Sequence, residues 1–130
     1  MRILLTEDDD SVRSFVSRAL ELDGHEVDTA CHGVEALERL IENDGCYDLL
    51  VSDVKMPLMD GIALAHEASG QWPGLPILLM TGFADQRERA DDLSQVIRDV
   101  VTKPFTLQQI REAVSDAAQA EAPEQTEKAA

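Results

Sequence analysis

The chain has 130 residues and a formal charge of −15, with aliphatic side chains far outnumbering its five aromatics. That length supports one domain with an aliphatic core, and no apolar run approaches the ~20 residues of a membrane span. The acidity excludes binding to bare nucleic acid, whose phosphates would be repelled, and no basic stripe offsets it. Cys31 and Cys46 form no motif and no signal peptide is evident, so the expectation is a cytoplasmic protein with reduced, structural thiols.

The elements alternate. Ile3–Thr6 is a short continuous apolar run, as expected of a strand buried on both faces. Glu7-Asp8-Asp9-Asp10 follows, and Asp8 to Ser11 offer N-cap side chains for a helix with Val12, Phe15, Val16, Ala19, Leu20 and Leu22 at helical spacing. Asp23-Gly24-His25 ends that helix. Glu26–Ala30 reads as a second strand and Gly33–Glu42 as a second helix, with Val34, Leu37, Leu40 and Ile41 inward. Asn43-Asp44-Gly45 breaks it. Tyr47–Ser52 is the third strand, Gly61–Ser69 the third helix and Pro76–Thr81 the fourth strand. Asp85 to Ile97 is densely charged, with Ala90, Leu93, Val96 and Ile97 as its apolar side, and reads as a helix. Asp99–Lys103 is a fifth strand, and Thr106 caps a last helix carrying Leu107, Ile110, Val114 and Ala117. Gln119–Ala130 reads as a disordered tail after a domain spanning 1–118.

Strands alternating with helices give a parallel sheet covered on both faces. Right-handed crossovers favour an α/β, doubly wound, five-stranded order 2-1-3-4-5, with its switch point between strands 1 and 3. The ends of those strands carry Glu7-Asp8 and Asp53, and strand 5 ends at Lys103-Pro104. Carboxylates brought together there repel one another, which makes most sense around a bound cation. Each residue also has a plain alternative. Asp8, Asp9 or Asp10 could merely cap a helix, Asp53 could turn the loop into Pro57, Thr81-Gly82 could be a simple turn and Lys103 a surface lysine. Four such coincidences at one sheet edge are less economical than one site.

Glu7-Asp8, the Asp53 segment SDVKMPLMDG, Thr81-Gly82 and Lys103-Pro104-Phe105, in that order, resemble the receiver domains of bacterial two-component response regulators, a CheY-like (βα)5 fold. The resemblance implies that Asp53 accepts a phosphoryl group from a histidine kinase or a histidine phosphotransfer protein. It implies Mg²⁺ held by Asp8, Asp53 and the Lys55 backbone carbonyl, with Glu7 as an outer-shell or water-mediated ligand. Lys103 and Thr81 would contact phosphoryl oxygens, and the Lys103-Pro104 peptide would be cis. Val100 stands where many receivers carry a switch aromatic, leaving Phe83 as the alternative mobile ring. Such a chain would not be an enzyme beyond gaining and losing its own phosphoryl group.

The output would be a contact with a protein such as an AAA+ protease, a kinase or a motor that differs between the two states, in a monomer or weak dimer. MTGFA and TKPFTLQQI are similar to CpdR-type single-domain regulators of alphaproteobacteria, which implies an adaptor role for the AAA+ protease ClpXP. Ala129-Ala130 looks like a recognition end for that protease, or else is an arbitrary Ala-rich terminus. A phosphorelay shuttle is the alternative function. A Mg²⁺-dependent phosphohydrolase of haloacid-dehalogenase type is a third, although Asp8-Asp9-Asp10 lacks that family's next residue and its cap domain.

Overall fold

A computed structural model of the chain describes residues 1–82 and 97–119. Five parallel strands, β1 (Arg2–Thr6), β2 (Glu26–Ala30), β3 (Leu49–Asp53), β4 (Ile77–Thr81) and β5 (Asp99–Thr102), form one sheet in the order β2-β1-β3-β4-β5. The described helices are α1 (Asp10–Leu22), α2 (Gly33–Glu42), α3 (Gly61–Gln71) and α4 (Leu107–Gln119). This is the expected doubly wound order. The reading of Asp85–Ile97 as a helix falls, but for Ile97, on undescribed residues, and that of the tail from Gln119 falls on 120–130 except for Gln119, which ends α4. Phe83, Ala129 and Ala130 therefore lie outside the described residues, whereas Ile97 is buried.

Burial follows strand position. Every residue of the inner strands β3 and β4 is buried, while the edge strands β2 and β5 are partly exposed. Alternate side chains feed two cores, because successive residues of a strand point to opposite faces. Leu4, Leu50, Ile77 and Leu79 pack with α2 and α3. Ile3, Leu5, Leu49, Val51, Leu78 and Met80 pack with α1 and α4.

Several boundaries and facings differ from expectation. β3 starts at Leu49, not Tyr47, and includes Asp53. At Asp48 the N–H still donates to the Arg2 carbonyl at 2.7 Å, but the Arg2 N–H is taken by the Asp48 carboxylate at 2.7 Å, and the ladder with β1 begins at Ile3↔Leu49. On α2, Val34 and Ile41 are exposed rather than inward. They lie roughly a third of a turn from the buried Gly33, Ala36 and Leu40. Phe15 and Leu22 on α1 are displaced to the same degree from Val16, Ala19 and Leu20, and both are exposed. Both cysteines are free and exposed, so neither is the packing thiol expected.

Helix ends match their sequence signals. Asp9 is the N-cap of α1, its carboxylate accepting from the Ser11 and Val12 N–H groups at 2.8 and 3.0 Å. Thr106 and Gln109 form a reciprocal box at the start of α4, each side chain accepting from the other's N–H. Asp60 caps α3 by accepting from the Ala63 N–H at 2.8 Å.

Two close backbone approaches fix the loop between β3 and α3. A Cβ on Gly61 would collide with the Asp53 carbonyl oxygen and lie 2.9 Å from its carbon and 3.0 Å from Val54 Cα. A Cβ on Gly33, at the head of α2, would collide with the Met59 carbonyl oxygen and sit 2.8 Å from Met59 Cβ. Only glycine fits either place, and the loop carrying Lys55 is wedged between them.

Candidate phosphoacceptor and cation site

The carboxyl ends of β1, β3 and β5 deliver Glu7, Asp8, Asp53 and Lys103 to one cleft, lined also by Lys55, Pro57 and Gly82. Glu7 and Asp53 are buried, whereas Asp8 is exposed. Carboxylate oxygens of the three acids lie within 4.8 Å of one another. Lys103 joins two of them: its Nζ is 2.7 Å from Glu7 Oε1 and 3.2 Å from Asp53 Oδ2. The second Glu7 oxygen accepts from the Asp9 N–H at 3.1 Å. Both oxygens of Glu7 are thus engaged by protein donors, which suits an anchor for Lys103 and an outer-shell relation to a cation.

The backbone holds these groups in register. Lys103 N–H donates to the Thr81 carbonyl at 2.7 Å, tying the end of β5 to the end of β4. The Lys103–Pro104 peptide is cis. Gly61 N–H donates to the Val54 carbonyl at 2.7 Å and Val54 N–H to the Met80 carbonyl at 2.9 Å, so the chain just after Asp53 is pinned on both sides. The Ser52 hydroxyl donates to the Asp53 carbonyl at 3.0 Å.

Electrostatics agree with crowding. Burial, opposed by Lys103 and reinforced by Asp53, pushes Glu7 from the ordinary value of 4.5 up to about 7. Burial likewise raises Asp53, against the pull of Lys103. Lys103 is itself raised: burial works against its charge, but the Glu7 and Asp53 carboxylates prevail.

A stability prediction follows. A carboxyl group held above its free-chain value favours the folded state when protonated, so that contribution is complete below about pH 4.5 and is lost as pH rises through about 7. His25, lowered chiefly by burial, acts in the opposite sense over part of that window. The comparison with Glu7→Gln isolates the effect. In chelator, wild type should lose on the order of 2 kcal/mol relative to Glu7→Gln between pH 5 and pH 8, read by melting. Millimolar Mg²⁺ should recover most of it at pH 8 through mass action. Parallel pH profiles for the two proteins would contradict this.

Of the residues singled out from sequence, Glu7, Asp8, Asp53 and Lys103 meet in the cleft, with Lys55 on its wall. Thr81 is fully buried at the end of β4 and does not line the cleft. Asp9 is spent on capping α1. Two features had no sequence signal. Arg13 Nη1 donates to the Glu7 carbonyl at 2.9 Å, from a helix position that reads as ordinary surface. Phe15 stacks on Phe105 with centroids 6.5 Å apart, and both rings line a mainly apolar groove that shares Gly82 and Lys103 with the cleft.

A family model described as the response regulator receiver domain matches residues 3–115. The chain is 41% identical over 109 residues to the response regulator receiver protein CpdR of Brucella abortus, covering 84% of this chain and 89% of that one. It is 36% identical over 110 residues to the response regulator MprA of Mycobacterium tuberculosis, but spans only 47% of that protein. Among solved structures, TrrA of Thermotoga maritima, crystallised with Mg²⁺ and BeF, is 31% identical with a TM-score of 0.79, over 89% of this chain and 97% of that one. With the receiver model covering nearly the whole described fold, the chain belongs to the response regulator receiver domains.

Proposed function

We propose that this chain accepts a phosphoryl group on Asp53 from a phosphohistidine donor, in a Mg²⁺-dependent reaction, and signals by a protein contact that depends on that modification. The observation that carries the reading is the Lys103 ammonium seated between Glu7 and Asp53 beside the exposed carboxylate of Asp8. The donor set fits the cation: Asp8, Asp53 and the Lys55 carbonyl would supply hard oxygen ligands, and Glu7 would act through water. When bound, Mg²⁺ neutralises the charge that builds between a carboxylate and an anionic phosphoryl group.

The chain's own residues do the rest. An Asp53 carboxylate oxygen attacks phosphorus in line; its O–P bond forms as the donor's P–N bond breaks, and the electron pair leaves with the imidazole nitrogen. Lys103, already 3.2 Å from Asp53 Oδ2, pairs with a phosphoryl oxygen as a point charge. Thr81 donates its hydroxyl to another once β4's end shifts toward the site. A macromolecular donor that brings its imidazole to Asp53 covers the rim formed by Phe15 and Phe105.

The test is incubation of the whole chain with acetyl phosphate and Mg²⁺, followed by borohydride reduction to mark the acyl phosphate. One label on Asp53, absent in chelator, is expected. No label, or one placed elsewhere, would refute the assignment.

The identity with CpdR along most of both chains favours an adaptor role in AAA+ protease control over the relay-shuttle alternative. Pull-downs with wild type and Asp53→Asn distinguish them. Recovery of a ClpX-type subunit supports the adaptor, whereas phosphoryl passage onward to a second histidine protein supports the shuttle.

A further inference from the structure

Arg13, like Lys103, is a cation bonded to the acidic turn. Its side chain is 18% exposed and reaches back from the first turns of α1. Nη1 donates to the Glu7 carbonyl oxygen at 2.9 Å, and Nη2 pairs with the Asp10 carboxylate. That carbonyl belongs to the peptide linking Glu7 to Asp8, so Arg13 acts on the backbone between two of the three acids.

Glu7 is held in every other respect too. Its N–H donates to the Ala30 carbonyl at 3.1 Å, and its carboxylate is bonded to Lys103 and the Asp9 N–H. Asp8 is different. It is exposed, and its backbone lies between the Glu7–Asp8 peptide, whose carbonyl Arg13 engages, and Asp9, the N-cap of α1.

A guanidinium at this point has two effects of opposite sign on a divalent cation. As a charge near the carboxylates it repels the ion, so its removal should tighten binding. As a donor to the Glu7 carbonyl it holds the peptide in the orientation that aims Asp8 at Asp53, so its removal should weaken binding by leaving that ordering to be done when the ion arrives. The bond is charge-assisted and mostly shielded from water, the setting in which such bonds are strongest. We propose that Arg13 is a positioning residue for the cation site, holding the Glu7–Asp8 peptide so that the carboxylates of Asp8 and Asp53 converge. The proposal rests on reading the acidic cleft as a Mg²⁺ site and adds the residue that sets its affinity.

The two effects make the test one of sign. Calorimetric titration of the full chain with MgCl₂ should give Arg13→Met a Kd about tenfold weaker than wild type, equivalent to about 1.4 kcal/mol. Arg13→Lys, which keeps the charge and can still reach the carbonyl, should recover most of the loss. Arg13→Gln, with an amide NH2 donor and no charge, should fall between them, and it carries the test if Arg13→Met does not fold. Melting in chelator provides the control. A lowered melting temperature with unchanged Kd would make Arg13 a packing residue, and tighter Mg²⁺ binding by Arg13→Met or Arg13→Gln would make it only a repelling charge. Either result overturns the proposal. Absence of Mg²⁺ binding by wild type would instead refute the cation site itself, a separate outcome.

Discussion

Asp53→Asn is expected to take up no phosphoryl group under conditions where wild type gains one, and to melt in chelator at or slightly above the wild-type temperature. The two halves have different causes. The amide keeps the shape of the side chain and an oxygen for Lys103, but it lacks the anionic oxygen that attacks phosphorus. The stability result follows from burial, which raises Asp53 despite the nearby ammonium, with Asp8 adding repulsion. Removing the charge ends that cost but also weakens the 3.2 Å pair with Lys103. The balance should be small and in favour of the variant. Intact-mass measurement reads the first half and calorimetry the second. A variant that still gains a phosphoryl group would move the acceptor elsewhere, and one that melts far below wild type would mean the Lys103 pair outweighs burial.

The second large effect concerns backbone geometry. Gly61→Ala should cost about 3 kcal/mol and impair Mg²⁺ binding as well. The added methyl would collide with the Asp53 carbonyl oxygen and crowd Val54 Cα, and neither can yield by a rotamer change. Relief requires moving the peptide that follows Asp53, the same segment whose carbonyl at Lys55 is proposed to face the cation. Gly70 in the same helix supplies the control. Nothing lies within 4 Å of a Cβ there, so Gly70→Ala should stabilise by about 0.5–1 kcal/mol through helix propensity. Urea unfolding of the pair checks both signs; equal effects would show that the collision at Gly61 is relieved without strain.

Much of this architecture was legible in the sequence, and the reasons are specific. Buried parallel strands are short unbroken apolar runs, so Ile3–Thr6 and Pro76–Thr81 declared themselves, and each polar residue ending such a run marked the sheet edge. Lys103 could be assigned to the same edge as Glu7 only because the crossover rules leave so few sheet orders. Helical periodicity gives the centre of an apolar face better than its width, which is why Leu40 and Leu20 were placed correctly and Val34, Ile41 and Leu22 were not. The start of β3 coincides with a side-chain bond from Asp48 to the backbone of Arg2. Arg13 was illegible for a similar reason: a bond from a side chain to a backbone carbonyl leaves no periodic trace. Thr81 was identified through the receiver resemblance at the end of an apolar run, but its burial required the fold.

The Lys103–Glu7 pair joins the two ends of the folded chain, across a sequence separation of 96. During synthesis, β1, β2 and β3 are made before Lys103. A nascent sheet of those three strands would already gather Glu7, Asp8 and Asp53, yet lack the ammonium that offsets them. Mg²⁺ would supply the missing counter-charge in that interval, so the ion proposed for the finished site would also ease its assembly.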